Sequence, residues 1–252
     1  MQLRVLGCSG SEIPGRYPTA FLVNDDLLLD AGTIGAVLTP EEQRHIRHIF
    51  VTHSHLDHVC GIPFLADAIV LADNPRKVSV CSIEPVLAAL HEHIFNGIIW
   101  PDFTKVPTPD TAPILFRRIL PGVEEQFADY SVTSWPVQHS VAAVGYRIRS
   151  KEATILYTGD TGPTEQLWKV AGDISALIVE VSFPNAMSGL ALATGHLTAG
   201  MLAHELSKLP NRPGRILISH LKPQYETVIC QELEQLAIPG LQVLHEGLTL
   251  TL

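Results

Sequence analysis

Residues 51–61 read VTHSHLDHVCG, and the rest of the chain is best understood outward from them. His53, His55, Asp57 and His58 crowd into six positions directly after the apolar run HIFV at 48–51. Residues two apart on extended backbone point the same way, so His53 and His55 can present ring nitrogens to one metal ion. Asp57 and His58 fall where the turn enters a helix, and adjacent residues there diverge. That divergence favours a second metal beside the first. Neutral imidazole and carboxylate suit Zn, Mn or Fe better than Ca or Mg. The plain alternative is a polar turn capping a helix; four ligand-type side chains in one turn argue against it.

Around the cluster, short strands alternate with turns. LRVL, TAFLV and DLLLD precede it, and residues 46–51 lead into it. A helical pattern runs from Val59 to Leu71, with Pro63 in its first turn. KVSVCS reads as a strand and Pro85 to His93 as a helix. Residues 94–113, rich in proline and aromatic residues, have neither period and form a long loop. Strands ILFRRI, EQFADYSVTSWPV, AAVGYRIR and ATILYTGD follow, with helices near 164–171 and 198–208. ALIVEVS, RILISH and GLQVLHEGLTLTL are the remaining strands. Strand-rich halves that each end in helices predict an α/β protein: two mixed sheets face to face with helices outside, in one domain over 1–252.

The formal net charge of −9 and the lack of Lys/Arg clusters make general nucleic-acid binding a poor expectation. No apolar run reaches the ~18 residues of a membrane span. Four cysteines without paired metal spacing are expected to be reduced and structural. The N-terminus begins at once with strand-like alternation, so a cytoplasmic compartment is the default expectation. The oligomeric state is open, a homodimer included.

Four ligands cannot saturate two metals, so others must come from strand ends later in the chain. His139 follows SWPVQ, Asp160 ends ILYTGD, and His220 ends RILISH. HSHLDH followed by a lone His, Asp and His at strand ends resembles the metallo-β-lactamase superfamily. The resemblance implies an αββα sandwich with a two-metal site at one edge. It also implies that His53, His55 and His139 hold one metal, that Asp57, His58 and His220 hold the other, and that Asp160 bridges. Asp57 would thereby belong to the catalytic set as well as to the ligands. Asp30 in LLLDAGT matches the aspartate that supports such a cluster. Two divalent transition metals are expected, Zn first, with Mn or Fe as alternatives. Such a pair, ~3.5–4 Å apart, can bridge a hydroxide at neutral pH and clamp an in-line displacement.

A second constellation narrows the chemistry. Glu180 ends ALIVE, and His196 sits in TGHLTAG ahead of a helix. A carboxylate orienting a histidine gives an imidazolium able to protonate a leaving oxygen. The pair resembles the phosphodiesterase branch containing ribonuclease Z and class II cyclic-nucleotide phosphodiesterases. The loop HIFNGIIWPDF at 93–103 resembles the cyclic-AMP members. In that loop Phe95, Trp100 and Phe103 offer π faces for a purine, and Asn96 offers a donor and an acceptor. The resemblance implies hydrolysis of 3′,5′-cyclic nucleotides, cyclic AMP first, to 5′-nucleotides. A ribonuclease Z-like or other small-phosphodiester hydrolase is the alternative, weakened for RNA by the acidic charge. A silent binding protein would have lost ligands, and all seven positions carry competent side chains.

Overall fold

The computed structural model describes residues 1–72 and 76–252. Its strands are β1 (Gln2–Gly7), β2 (Ala20–Val23), β3 (Leu27–Leu29), β4 (His48–Phe50), β5 (Val78–Ser82), β6 (Ile114–Arg118) and β7 (Glu125–Phe127). They continue as β8 (Tyr130–Pro136), β9 (Val144–Arg149), β10 (Thr154–Tyr157), β11 (Ala176–Glu180), β12 (Arg215–Ser219), β13 (Leu241–Val243) and β14 (Thr249–Thr251). Two seven-stranded sheets result, ordered β14-β1-β2-β3-β4-β5-β6 and β13-β12-β11-β10-β9-β8-β7. Strands β3 to β6 pair in parallel, as do β10 to β13; the other pairs are antiparallel.

The period of two sorts the apolar side chains into three layers. Leu29 and Phe50 of the first sheet meet Tyr146, Tyr157, Ile178 and Leu217 of the second in one inner cluster. Their neighbours Leu28 and Ile49 turn outward, onto Val59, Ile62, Leu65 and Leu90. On the other side Leu156, Leu177, Ile216 and Ile218 face Trp168, Leu202, Leu206 and Ile229. Parallel strands buried on both faces read as unbroken apolar runs, which is why ALIVE and RILIS lack alternation. The expected face-to-face sandwich with helices outside is the observed one.

Several features depart from the reading of the sequence; EQFADYSVTSWPV is a hairpin, Glu125–Phe127 turning back antiparallel onto Tyr130–Pro136. GLQVLHEGLTLTL is not one strand: Leu241–Val243 extends the second sheet and Thr249–Thr251 the first. Between them Gly247 has a φ of 80°, and the chain passes from sheet to sheet. Helices Ser188–Thr194 and Glu226–Gln235 were not anticipated. Only Ile229 and Leu233 of the second are buried, too sparse a stripe to stand out. Among the described residues, no helix is long and apolar enough to cross a membrane, and all four cysteines are free thiols.

Candidate metal centre

The carboxyl ends of β3 and β4 and those of β8, β10, β11 and β12 lie at one edge of the sandwich, where open parallel sheets place their sites. His53, His55, Asp57 and His58 follow β4; His139 follows β8, Asp160 β10 and His220 β12. Leu56–Val59 forms a helical turn that leads through Cys60 into helix Gly61–Val70.

The structure brings all seven side chains together. Ligand atoms of His53, His55 and His139 lie within 4.8 Å of one another, and so do those of Asp57, His58 and His220. His139 Nε2 is 3.2 Å from His55 Nδ1. Asp160 Oδ2 stands between the two groups, 3.7 Å from His53 Nε2, 3.3 Å from His58 Nε2 and 3.2 Å from His220 Nε2. His220 Nε2 is also 3.3 Å from Asp57 Oδ2.

Partners outside the cluster set the tautomers. His58 Nδ1 is 2.8 Å from Asp30 Oδ2, and His139 Nδ1 is 2.9 Å from the Gly195 carbonyl. Both partners only accept, so both Nδ1 atoms carry hydrogen and both Nε2 atoms turn inward, toward the other ligands. The Thr52 hydroxyl donates to Asp30 Oδ2 at 2.8 Å and accepts from His53 Nδ1 at 3.0 Å. His53 Nε2 is left as a buried nitrogen without a hydrogen-bond partner among the described residues. A buried bare lone pair is costly unless something fills it, and a cation among these donors does. The site residues fit a transition metal on this ground and on the chemistry of the donor set.

The charge balance points the same way. Burial acts against a proton on His58, but Asp160 and Asp30 overcome it and raise its pKa well above the ordinary histidine value. The same two carboxylates favour any cation at that point. His53, His55 and His139 are shifted the other way, chiefly by burial, and so are held as neutral imidazoles. Burial opposes ionisation of Asp57, yet the hydrogen bond with His220 and the charge of His58 hold its carboxyl well below the usual range.

Two glycines make this approach feasible. Gly159 has a φ of 60°, and a Cβ there would come within 2.7 Å of the Thr52 side chain. Gly195 has a φ of 72°, and its Cβ would lie 2.8 Å from the His139 backbone. Both positions need backbone where a side chain would otherwise stand.

Glu180 and His196 meet as the sequence suggested, His196 Nδ1 lying 2.8 Å from Glu180 Oε1. The carboxylate also accepts from Thr161 N at 2.8 Å and from the Ser182 hydroxyl at 2.7 Å. Burial disfavours the His196 imidazolium, but Glu180 outweighs it and the pKa is raised. The ring stacks on His220 at 5.5 Å, and one of its nitrogens lies within 4.8 Å of ligand atoms of His139 and Asp160.

The expected purine-binding loop is corrected at two of its residues, Phe95 and Phe103. Phe95 and Phe103 are buried with Val86, Leu87, Leu90 and Ile114 under the first sheet, so neither offers a face to a ligand. Trp100 is half-buried at the edge of that cluster, its ring 5.3 Å from that of Phe64. Asn96 is exposed, but its amide bonds Glu92 O and its carbonyl accepts from the N–H groups of Ile98 and Ile99. The loop spends these groups on its own anchoring, since burying a phenylalanine is worth roughly 1.5–3 kcal/mol. Sequence reasoning missed Thr52, Tyr157 and Ser182, which orient the cluster; no local pattern marks them.

A family profile described as the Beta-lactamase superfamily domain matches residues 27–221. The chain is 28% identical to a 3′,5′-cyclic-nucleotide phosphodiesterase of Aliivibrio fischeri, over 86% of this chain and 80% of that one. It is 25% identical to a ribonuclease Z of Haloferax volcanii, over 93% and 89%. The structure of unliganded yeast PDE1 superposes with a TM-score of 0.84 at 20% identity, covering 100% of this chain and 99% of that one. The edge cluster, the paired mixed sheets and the matched span place this chain in the β-lactamase superfamily, with the metallo-β-lactamase fold.

Proposed function

We propose that the protein is a dinuclear metallohydrolase of phosphodiesters, with 3′,5′-cyclic nucleotides, cyclic AMP first, as its substrates. The observation that carries this reading is the Glu180–His196 pair set directly beside the cluster that holds the bare His53 Nε2. His53, His55 and His139 would hold one ion and Asp57, His58 and His220 the other, with Asp160 shared. When bound, two such ions supply Lewis acidity toward a phosphoryl group and a nucleophile at neutral pH.

The chain's own residues supply the rest. Glu180 holds His196 as an imidazolium, and His196 delivers its proton to the departing 3′-oxygen of the sugar. A sugar alkoxide leaves poorly, so protonation there is worth about 10²–10⁴-fold in rate. The phosphodiesterase named among the relatives supports the substrate class. The ribonuclease Z relative keeps an RNA end as a second reading, opposed by the net charge of −9. The test combines metal analysis of the purified protein with turnover of cyclic AMP, cyclic GMP, bis(p-nitrophenyl) phosphate and a transfer-RNA precursor. Turnover of the precursor alone would overturn the cyclic-nucleotide reading.

A further inference from the structure

Ser182 stands where the segments that build the site converge. It lies two residues beyond β11 and is fully buried. Its N–H donates to Leu197 O at 3.1 Å, and its carbonyl accepts from Lys222 N at 3.4 Å. The backbone of this one residue therefore joins the segment carrying His196 to the segment carrying His220.

Its hydroxyl is 2.7 Å from Glu180 Oε2, 2.9 Å from His220 Nδ1, 3.1 Å from His220 O and 3.3 Å from His196 Nδ1. A hydroxyl has one proton and two lone pairs. The carboxylate is the nearest of the four groups and the charged acceptor, so the proton goes to Glu180. The lone pairs then face the two imidazoles. His196 Nδ1 is already engaged by Glu180 Oε1 at 2.8 Å. His220 Nδ1 has no other side-chain or backbone partner among the described residues, so its N–H donates to Ser182. With Nδ1–H committed to Ser182, Nε2 is the atom turned toward Asp160 at 3.2 Å and Asp57 at 3.3 Å, where a metal ion would replace the proton directed at those carboxylates.

We propose that Ser182 is a positioning residue that couples the proton-delivering pair to the metal cluster. Its hydroxyl extends the reach of Glu180 to the ring of His220 and holds that ring in the tautomer whose Nε2 faces the other ligands. Glu180 thus orients two histidines, His196 directly and His220 through one hydroxyl. The consequence for metal affinity rests on the metal-centre reading above, whereas the tautomer does not.

The experiment uses the full chain as wild type, Ser182→Ala, Ser182→Thr and Glu180→Gln, each checked for folding by circular dichroism. Imidazole ¹⁵N NMR of the metal-free protein reports whether His220 Nδ1 carries hydrogen, and titration with Zn against a chromophoric chelator reports affinity. Wild type should show a protonated Nδ1 on His220. Ser182→Ala should leave His220 Nδ1 partly without hydrogen and weaken one Zn site by about 10–100-fold, and Ser182→Thr should restore both. Should Ser182→Ala not fold, Glu180→Gln still decides the matter: with the charged acceptor gone, the hydroxyl proton is released and His220 Nδ1 should be left partly without hydrogen. Unchanged Nδ1 protonation and affinity in folded Ser182→Ala, or unchanged Nδ1 protonation in Glu180→Gln, would overturn the proposal. A wild type that binds no Zn would instead sink the metal-centre reading, and the NMR arm would still judge Ser182.

Discussion

The hydroxyl of Tyr157 donates to Asp30 Oδ2 at 2.6 Å, a bond that crosses from the second sheet to the first beneath the ligand cluster. Asp30 also accepts from Thr52 N at 2.7 Å and faces His58 Nδ1 at 2.8 Å. One buried carboxylate thereby fixes the inter-sheet spacing and the orientation of a candidate ligand. Tyr157→Phe should destabilise the fold by about 1.5–3 kcal/mol, the usual worth of a hydrogen bond to a charged group. Urea unfolding measures this. A change inside about 0.5 kcal/mol, the scale of a neutral surface substitution, would remove the role assigned to the bond.

Metal stoichiometry tests the shared position of Asp160. The purified chain should carry about two transition metals. His58→Ala should empty one site preferentially, and Asp160→Ala should weaken both, because its Oδ2 lies within 3.7 Å of ligand atoms from both groups. Mass-spectrometric metal analysis under saturating Zn or Mn reads this out. At most one ion in the wild type would end the dinuclear reading.

Leaving-group dependence tests His196. His196→Ala should depress kcat on cyclic AMP by about 10²–10⁴-fold, the range for general acid catalysis. A p-nitrophenolate leaves readily as the anion, so kcat on a p-nitrophenyl ester should fall far less, with metal content unchanged. Equal losses on the two substrates would mean that His196 serves binding or structure.

The pH profile tests Glu180. Burial lowers the pKa of His196, and the charge and hydrogen bond of Glu180 more than offset this, so the net shift is upward from 6.5. Acid-form activity is then present below that raised pKa and lost as pH rises through it. Glu180→Gln removes the raising contribution, so the alkaline limb of kcat should move to lower pH under saturating metal. An alkaline limb that stays in place would assign it to another group.

The loop 94–103 should read out in stability. Phe95 and Phe103 are buried in the layer beneath the first sheet, and replacing either by Ala should cost about 3–5 kcal/mol. KM for cyclic AMP should hold in whatever fraction stays folded. A raised KM with unchanged stability would restore the loop as a binding surface.

The cluster HSHLDH, the strand-end positions of His139, Asp160 and His220, and the two layers of strands were legible because each depends on consecutive residues. Ligand spacing and a period of two are properties of local backbone. Beyond Asp30 itself, what orients the ligands was not legible. Asp30 meets Tyr157 across 127 positions, and Ser182 meets His220 across 38, so these bonds exist only once the sheets have stacked. The aromatic loop shows the same boundary from the other side. Phe95 and Phe103 carry the same rings whether they stack on a base or fill a core, and the space under the first sheet decided between them. Residue type and spacing specified which chemistry the chain could hold; the packing of distant strands decided which atoms face it, because tautomer and burial are set by neighbours remote in sequence.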